Sequence, residues 1–445
     1  MNAPSAWAAP LGGEQPAVQS SLRRHNLSLV LGQIAAHTAR SGPGFEPGHL
    51  GPDIFAVSRA DIAGATGITK ATVSVLVDRL IAGRLVLELP PANPVKAGRP
   101  ATPLTLAPGQ VAALGLEVNV DYVGARVVDL TGAILAENVK QVDLRESDPV
   151  RGFGLLIRCA VDALRQLQPA VILAGSGLAL PGLTDPATGH LVFAPNLGWT
   201  GIDVPTALGQ AAATVQGARA DSLATALVDP LVHNEATLAA IAHATTEDGQ
   251  TASFLYISGD VGIGAAVVTA GRPFGGLHGW AGEIGHVCVD PAGRQCTCGA
   301  KGCLETLAGK SALMRACDLP VTSSIEAVAD ILGAADPVEP AAQQARQAIQ
   351  QAGRALGQAV ADAINLIDLN RVVLGGSLAH LASYVTPAIE AVVAERTLSA
   401  RWVDPITVVA SPYSSFPAMS GAAMTVLNGV IADPDGYLGS PRNRR

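Results

Sequence analysis

The stretch EIGHVCVDPAGRQCTCGAKGCLE, residues 283–305, holds four of the six cysteines of the chain and one of its nine histidines. His286 comes first, and the cysteines follow in the spacing Cys296-x-Cys298-Gly-x-x-Gly-Cys303. One imidazole and three thiols form the closed donor set of a structural zinc site. His286, Cys296, Cys298 and Cys303 are therefore the candidate ligands of one structural Zn2+ per chain. Gly299 and Gly302 permit the sharp turns that close such a loop. A DNA-reading zinc finger is built differently, with its cysteines on a hairpin and two histidines on the helix that follows. The competing reading is a set of unmetallated surface thiols. Cys159, in an apolar helical stretch, and Cys317, after a helix beginning near Lys310, read as small buried hydrophobes.

The rest of the chain gives this loop its context. A length of 445 residues calls for two or three domains. With 49% hydrophobic and 15% charged residues the composition is that of a folded protein. No apolar run reaches the roughly 18 residues of a membrane span without interruption, so no membrane partner is expected. Residues 1–20 lack the basic start and apolar core of a secretory signal and read as a disordered tail. A cytoplasmic location follows, and reduced thiols favour metal ligation over disulfides. The net charge is −8, yet residues 21–108 carry nine Lys and Arg against five Asp and Glu. A small basic module thus precedes a large acidic body, and only the former has a charge suited to phosphate contacts.

Within the basic module Leu27, Val30, Leu31 and Ile34 recur at the spacing of one helix face. Further on, SRADIAGATGITKATVSVLVDRLIAGRLV encodes two helices. Ser58 and Asp61 read as a capping box, Gly67 closes the first helix, and Thr69 caps the second, which runs to about Ala82. The small Ala63, the turn glycine Gly67 and the locking Val73 have helix-turn-helix spacing. The start of the second helix offers Lys70, Thr72 and Ser74, with Arg79 further along, to base edges or phosphates. Ser58 joins these as a DNA-contact candidate. LVLELPPANPVKAGRPATPLTL then reads as two strands around a loop, the wing. Its Arg99, between Gly98 and Pro100, fits a minor-groove hook. The plainer readings are a helical hairpin and a proline-stiffened linker.

From Val111 strands and helices alternate. Strands are expected at 171–174, 254–258 and 372–374, and helices near 155–167 and 341–368. Glycines at the strand ends indicate an α/β body with ligand loops at the sheet edges.

The combined motifs resemble the ROK family of repressors and sugar kinases, from Ser21 to about Val430. They are Arg23–Asn26, the helix-turn-helix, Gly98-Arg99-Pro100, Pro181-Gly182, Pro195-Asn196, Asn234-Glu235, Glu283-x-Gly285-His286 and the cysteine loop. The resemblance implies a winged helix-turn-helix followed by a two-lobed, actin-like sugar-kinase body of ribonuclease H-like α/β type. Residues 21–108 would form the DNA-binding domain, 109–230 the smaller lobe, completed by a helix near 415–432, and 231–414 the larger lobe with the zinc loop. Residues 433–445 would be a tail. The resemblance also implies that Asn196, Asn234, Glu235, Glu283, His286 and Glu305 face a sugar, with His286 serving metal and sugar through its two ring nitrogens.

Two departures separate this chain from the family's kinases. The Asp-x-Gly-Gly-Thr-like phosphate loop reads Glu117-Val118-Asn119-Val120-Asp121 here, and Glu235 stands where the kinases carry a catalytic Asp. The expectation is a non-enzymatic, sugar-responsive repressor. It would bind a pseudo-palindromic double-stranded operator as a homodimer or homotetramer. Sugar-driven closure of the lobes would change half-site spacing. The alternatives are an active ATP-dependent sugar kinase and a repressor whose effector is zinc itself.

Overall fold

The computed structural model describes residues 19–39, 56–90, 102–215, 220–246, 252–333, 339–399, 405–412 and 415–440. They fall into two compact units. One holds the residues up to Thr38, those from 56 to Leu106 and those from Gly429 onward; the other runs from Ala107 to Asn428.

The first unit opens with α1 (Gln19–Ala39), so the helix begins inside the segment 1–20 expected to be a tail. Leu27, Val30, Leu31 and Ile34 on α1 are fully buried. Burying each contributes about 1.5–3 kcal/mol, which is what docks the stripe. After β1 (Val57–Ser58) comes α2 (Arg59–Thr66). The Ser58 hydroxyl accepts from the Asp61 N–H at 3.2 Å, and the Asp61 carboxylate accepts from the Ser58 N–H at 3.0 Å. The Ser58 hydrogen bonds hold the Asp61 carboxyl below its ordinary range. Gly67, at φ +71°, ends α2 in a conformation that costs other residues strain. Thr69 caps α3 (Lys70–Ala82). Ile62 of α2 meets a core of Val73, Leu76, Val77 and Leu80 from α3. β2 (Val86–Glu88) and β3 (Pro103–Leu106) pair antiparallel, and β1 adds to the other side of β3. This is a winged helix-turn-helix layout. Arg99 and the rest of 91–101 lie outside the described residues.

The second unit repeats one topology twice. β4 (Val111–Val118), β5 (Tyr122–Asp129) and β6 (Ile134–Gln141) form an antiparallel meander. α4 (Pro149–Arg165) leads to β7 (Ile172–Leu180), which pairs in parallel with β4. A separate antiparallel sheet of β8 (Leu183–Asp185), β9 (His190–Ala194) and β10 (Trp199–Asp203) comes next. Then follow α5 (Val204–Ala212), α6 (Ala220–Ala226) and β11 (Leu231–Asn234). The expected boundary between residues 230 and 231 falls one strand early, because β11 pairs in parallel with β7 and so belongs to the first lobe.

After α7 (Glu235–Thr246) the meander recurs as β12 (Phe254–Gly259), β13 (Ile263–Thr269) and β14 (Arg272–Pro273). The cysteine loop then precedes α8 (Glu305–Ala308), α9 (Lys310–Ala316), α10 (Glu326–Gly333) and α11 (Pro340–Ile367). β15 (Arg371–Gly376) pairs in parallel with β12. Beyond α12 (Ser377–His380) and α13 (Ala382–Arg396), β16 (Thr407–Ala410) pairs in parallel with β15. The two five-stranded sheets have the orders β11-β7-β4-β5-β6 and β14-β13-β12-β15-β16. Numbered within its own lobe, each sheet runs 3-2-1-4-5, with strands 4 and 5 parallel to strand 1. That duplication is the actin-like, ribonuclease H-like fold.

Each lobe has its own hydrophobic core. A third cluster, including Ala179, Leu238, Phe254 and Ala422, joins the lobes. Ala422 lies on α14 (Pro417–Ala432), whose backbone lies so near Gly177 that a side chain there would collide with it.

The expected tail at 433–445 is also revised. Residues 434–439 form α15 (Pro434–Gly439), and Tyr437 on it is buried. Within the first unit Asp433 pairs with Arg24, and Asp435 Oδ1 lies 2.5 Å from Arg79 Nη2.

Candidate functional site

The carboxyl ends of the central strands place the polar residues of the second unit, as in other open α/β sheets. Glu117 sits near the end of β4 and Asn119 just beyond it; Asp260 follows β12; Glu235 follows β11 as the first residue of α7. The Asn119 amide donates to Glu235 Oε2 at 3.1 Å. The Tyr122 hydroxyl donates to Glu117 Oε1 at 2.6 Å. Glu117 is only 1% exposed, and its Oε2 has no hydrogen-bond partner.

The electrostatics reflect this crowding. Burial pushes the Glu117 carboxyl up to about 7, with Asp260 adding to the rise; Tyr122 and Asn119, which favour the ionised form, oppose it. Burial, and then the charges of Asp260 and Glu117, raise the Glu235 carboxyl well above its ordinary range. Asp260 is raised as well, chiefly by burial. Asp121, the last residue of the loop after β4, is near enough to add to the rise of Asp260 but is itself paired: Lys310 Nζ donates to it at 3.0 Å and Arg145 at 2.7 Å.

The six residues expected to face a sugar divide into two groups. Asn196, Glu283, His286 and Glu305 come together beside the cysteine loop. The Thr297 hydroxyl lies 3.5 Å from Asn196 Oδ1, His286 Nε2 lies 3.9 Å from Glu283 Oε2, and Cys296 Sγ lies 3.9 Å from Glu305 Oε1. A side chain at Gly262 would meet both Glu305 and Asn196, so these two flank one turn. Glu235 lies with Asn119 and Glu117, and near enough to the first group that the charges of Glu283 and Glu305 add to the rise of its carboxyl. The Asn234 side chain is spent on backbone: it caps α7 by accepting from the Ala236 N–H at 2.8 Å and donates to the Gly182 carbonyl at 3.0 Å. Glu117, Asn119 and Asp260 were not singled out as ligand residues from the sequence. Their signal was the loss of glycine after β4 and an acid inside the turn Gly259–Gly264.

The loop 283–305 does bring its four candidate ligands together. Their donor atoms all lie within 4.8 Å of one another. His286 Nδ1 is 3.8 Å from Cys296 Sγ, and Cys298 Sγ is 3.7 Å from Cys303 Sγ. A tetrahedron with metal–sulfur bonds of about 2.3 Å has edges of about 3.8 Å, so the donor set fits a tetrahedral ion. Cys288 is exposed and stands outside the cluster. Gly299 and Gly302 have φ of +94° and +73°, which is why the turns need glycine. His286 turns Nδ1 to the cysteines and Nε2 towards Glu283, so one ring serves both sides.

In the first unit, Lys70 and Thr72 are exposed at the start of α3. Ser74 is half-buried and donates to the Lys70 carbonyl at 3.0 Å. Two DNA-contact candidates are otherwise engaged: Ser58 is buried in its cap and Arg79 is ion-paired with Asp435. Val75, 59% exposed, stands near Thr72 and was missed. It lies off the buried stripe of α3, and that was the available signal.

Comparison with known proteins agrees with this architecture. The chain is 26% identical over 391 residues to a putative xylose repressor of Caldicellulosiruptor sp. strain Rt8B.4, covering 85% of this chain and 94% of that protein. It is 26% identical over 395 residues to the transcriptional dual regulator NagC of Escherichia coli K12, covering 84% and 90%. A solved ROK family transcriptional regulator, described as a homologue of the E. coli MLC protein, superposes with a TM-score of 0.67 at 23% identity over 92% of this chain and 98% of that one. A ROK family glucokinase from Streptomyces griseus superposes at 0.55 and 22% identity, covering 71% of this chain and 98% of that one. Residues 113–428 match the ROK family, and the chain belongs to it.

Proposed function

We propose that this protein is a cytoplasmic, sugar-responsive transcriptional repressor. The observation that carries the reading is a winged helix-turn-helix joined in one chain to a ROK body. Proteins named as xylose repressors that match more than four-fifths of the chain support it. Lys70 and Thr72, with Ser74 and Val75 beside them, enter the major groove of a double-stranded operator; Val75 suits a thymine methyl. Arg99 serves the minor groove. Ser58 and Arg79 position α3 and do not read bases.

In the body, sugar hydroxyls pair with Asn196, Glu235, Glu283, Glu305 and His286 Nε2, and Asn234 orders the turn that holds Glu235. A site built on such pairs rejects analogues that leave a buried polar group unsatisfied. His286, Cys296, Cys298 and Cys303 hold a structural Zn2+, which stiffens the loop and fixes the orientation of the His286 ring. The protein acts as a homodimer or homotetramer on a pseudo-palindromic operator, and sugar lowers operator affinity. It does not phosphorylate its ligand: Asn119 and Val120 stand where the phosphate loop of the family's kinases carries its two glycines.

The test is a gel-shift titration on palindromes upstream of sugar-utilisation genes, with and without a panel of sugars. Sugar-dependent release is the expected result. Sugar-dependent ATP consumption with no operator binding would sink the proposal in favour of a kinase.

A further inference from the structure

Two glycine-bearing turns close the far end of this site. One is the run from Asp260 to Ile263 after β12, the other Gly375-Gly376-Ser377 at the end of β15. Free backbone N–H groups in such turns make concave anion sites. Here each turn is already filled by a carboxylate of the chain. The Ile263 N–H donates to Glu305 Oε2 at 3.2 Å, and the Ser377 N–H donates to Asp260. A side chain at Gly262 would collide with the Glu305 carboxylate, and one at Gly376 with the Asp260 carboxylate. Both acids are therefore seated hard against the turns. Glu117 completes the set, buried, with its Oε2 unpartnered and Asp260 close enough to be felt. The basic side chains nearby are engaged: Lys310 and Arg145 with Asp121, and His380, whose Nδ1 lies 3.6 Å from Glu326.

We propose that this end of the site excludes phosphate, so that the ligand is an unphosphorylated sugar, and that Asp260, backed by Glu117, sets this specificity. The inference rests on the sugar-binding reading above and narrows it by ligand class. A phosphate entering here would have to displace Asp260 from the Ser377 N–H. It would then lie beside Asp260, with Glu117 and Glu235 close by, and Lys310, the cation whose charge reaches Asp260, is already shared with Asp121. A sugar hydroxyl does the reverse: it can donate to Glu117 Oε2 and satisfy a buried atom that otherwise has no partner. The same arrangement shuts out the phosphates of a nucleotide.

The experiment is calorimetric titration of the full chain. The probes are D-xylose, D-glucose and N-acetylglucosamine, set against glucose 6-phosphate, N-acetylglucosamine 6-phosphate and ATP. The expected result is saturable binding of at least one free sugar and none of the phosphates at a hundredfold higher concentration. Asp260→Ser removes the built-in anion and frees the Ser377 N–H. It should shift the ratio of phosphate to free-sugar affinity at least tenfold towards phosphate. Should that variant fail to fold, Glu117→Gln, close in shape and uncharged, should move the ratio in the same direction. Tighter binding of a sugar phosphate than of its parent sugar overturns the inference, as does a ratio unchanged in the folded variants. A gel shift run in parallel keeps the two readings apart. A sugar phosphate that binds and releases operator leaves the repressor standing and this inference refuted. A free sugar that binds without touching operator affinity does the opposite. No binding by any probe overturns both.

Discussion

Replacing Glu117 by glutamine removes a buried charge while keeping the shape that accepts from Tyr122. The carboxyl is lifted from an ordinary 4.5 to about 7 in the folded protein, and it is buried enough for that lift to act on stability. At about 1.4 kcal/mol per tenfold change in proton affinity, the difference is about 3 kcal/mol. Its sign follows from which state holds the proton. Below pH 4.5 both folded and unfolded chains are protonated, and the group has no effect. Between 4.5 and 7 the unfolded chain releases its proton and the folded chain keeps it, so stability falls as pH rises. Above about 7 the loss levels off. Glutamine cannot titrate, so the advantage of Glu117→Gln should grow from near zero at pH 4.5 to about 3 kcal/mol at pH 8. For a body of roughly 320 residues that is a gain of about 4–5 °C in Tm. Thermal and urea unfolding of both proteins across pH 4.5–8.5 gives the curve. A difference that stays flat with pH would refute the reasoning.

Metal analysis of purified protein should find about one zinc per chain. Cys298→Ala should lose it and loosen the loop; full zinc content in that variant would remove Cys298 from the ligand set. Lys70→Ala should weaken operator binding at all sequences alike and flatten the salt dependence by about one counterion, read from gel shifts at several salt concentrations; an unchanged slope would take Lys70 off the phosphates. Leu80→Ala should destabilise the first unit by about 2–5 kcal/mol through an unfilled cavity, measured by denaturant unfolding; a loss below about 1 kcal/mol would mean that the core collapses around it.

What could be read from the sequence was local. Gly67 and Thr69 fix where α2 ends and α3 begins because a left-handed turn and a side-chain cap need those residue types within a few positions. The cysteine loop was legible for the same reason, with all four candidate ligands inside one short segment. Long-range features were hidden. Nothing within 231–234 says that this strand pairs with β7, and the segment after Ala432 looks like a polar tail until Asp433 and Asp435 meet Arg24 and Arg79. Asp260 lies in a turn that reads as a glycine loop, and only its approach to Gly376 and Ser377 reveals it as a plug. Ser58 and Arg79 were polar residues in the right place whose side chains serve their own fold.

The placement of α15 has a consequence for biosynthesis. Arg24 and Asp433 are 409 residues apart in the chain. At about 5–20 residues per second, the ribosome needs about 20–80 s to go from one to the other. The helices meant for DNA are made first, but the helix that finishes their unit arrives only after the whole ligand-binding body has been synthesised. A nascent or prematurely terminated chain therefore carries an unfinished DNA-binding unit. It lacks the partners of Arg24 and Arg79 and the buried Tyr437 until the last residues are made.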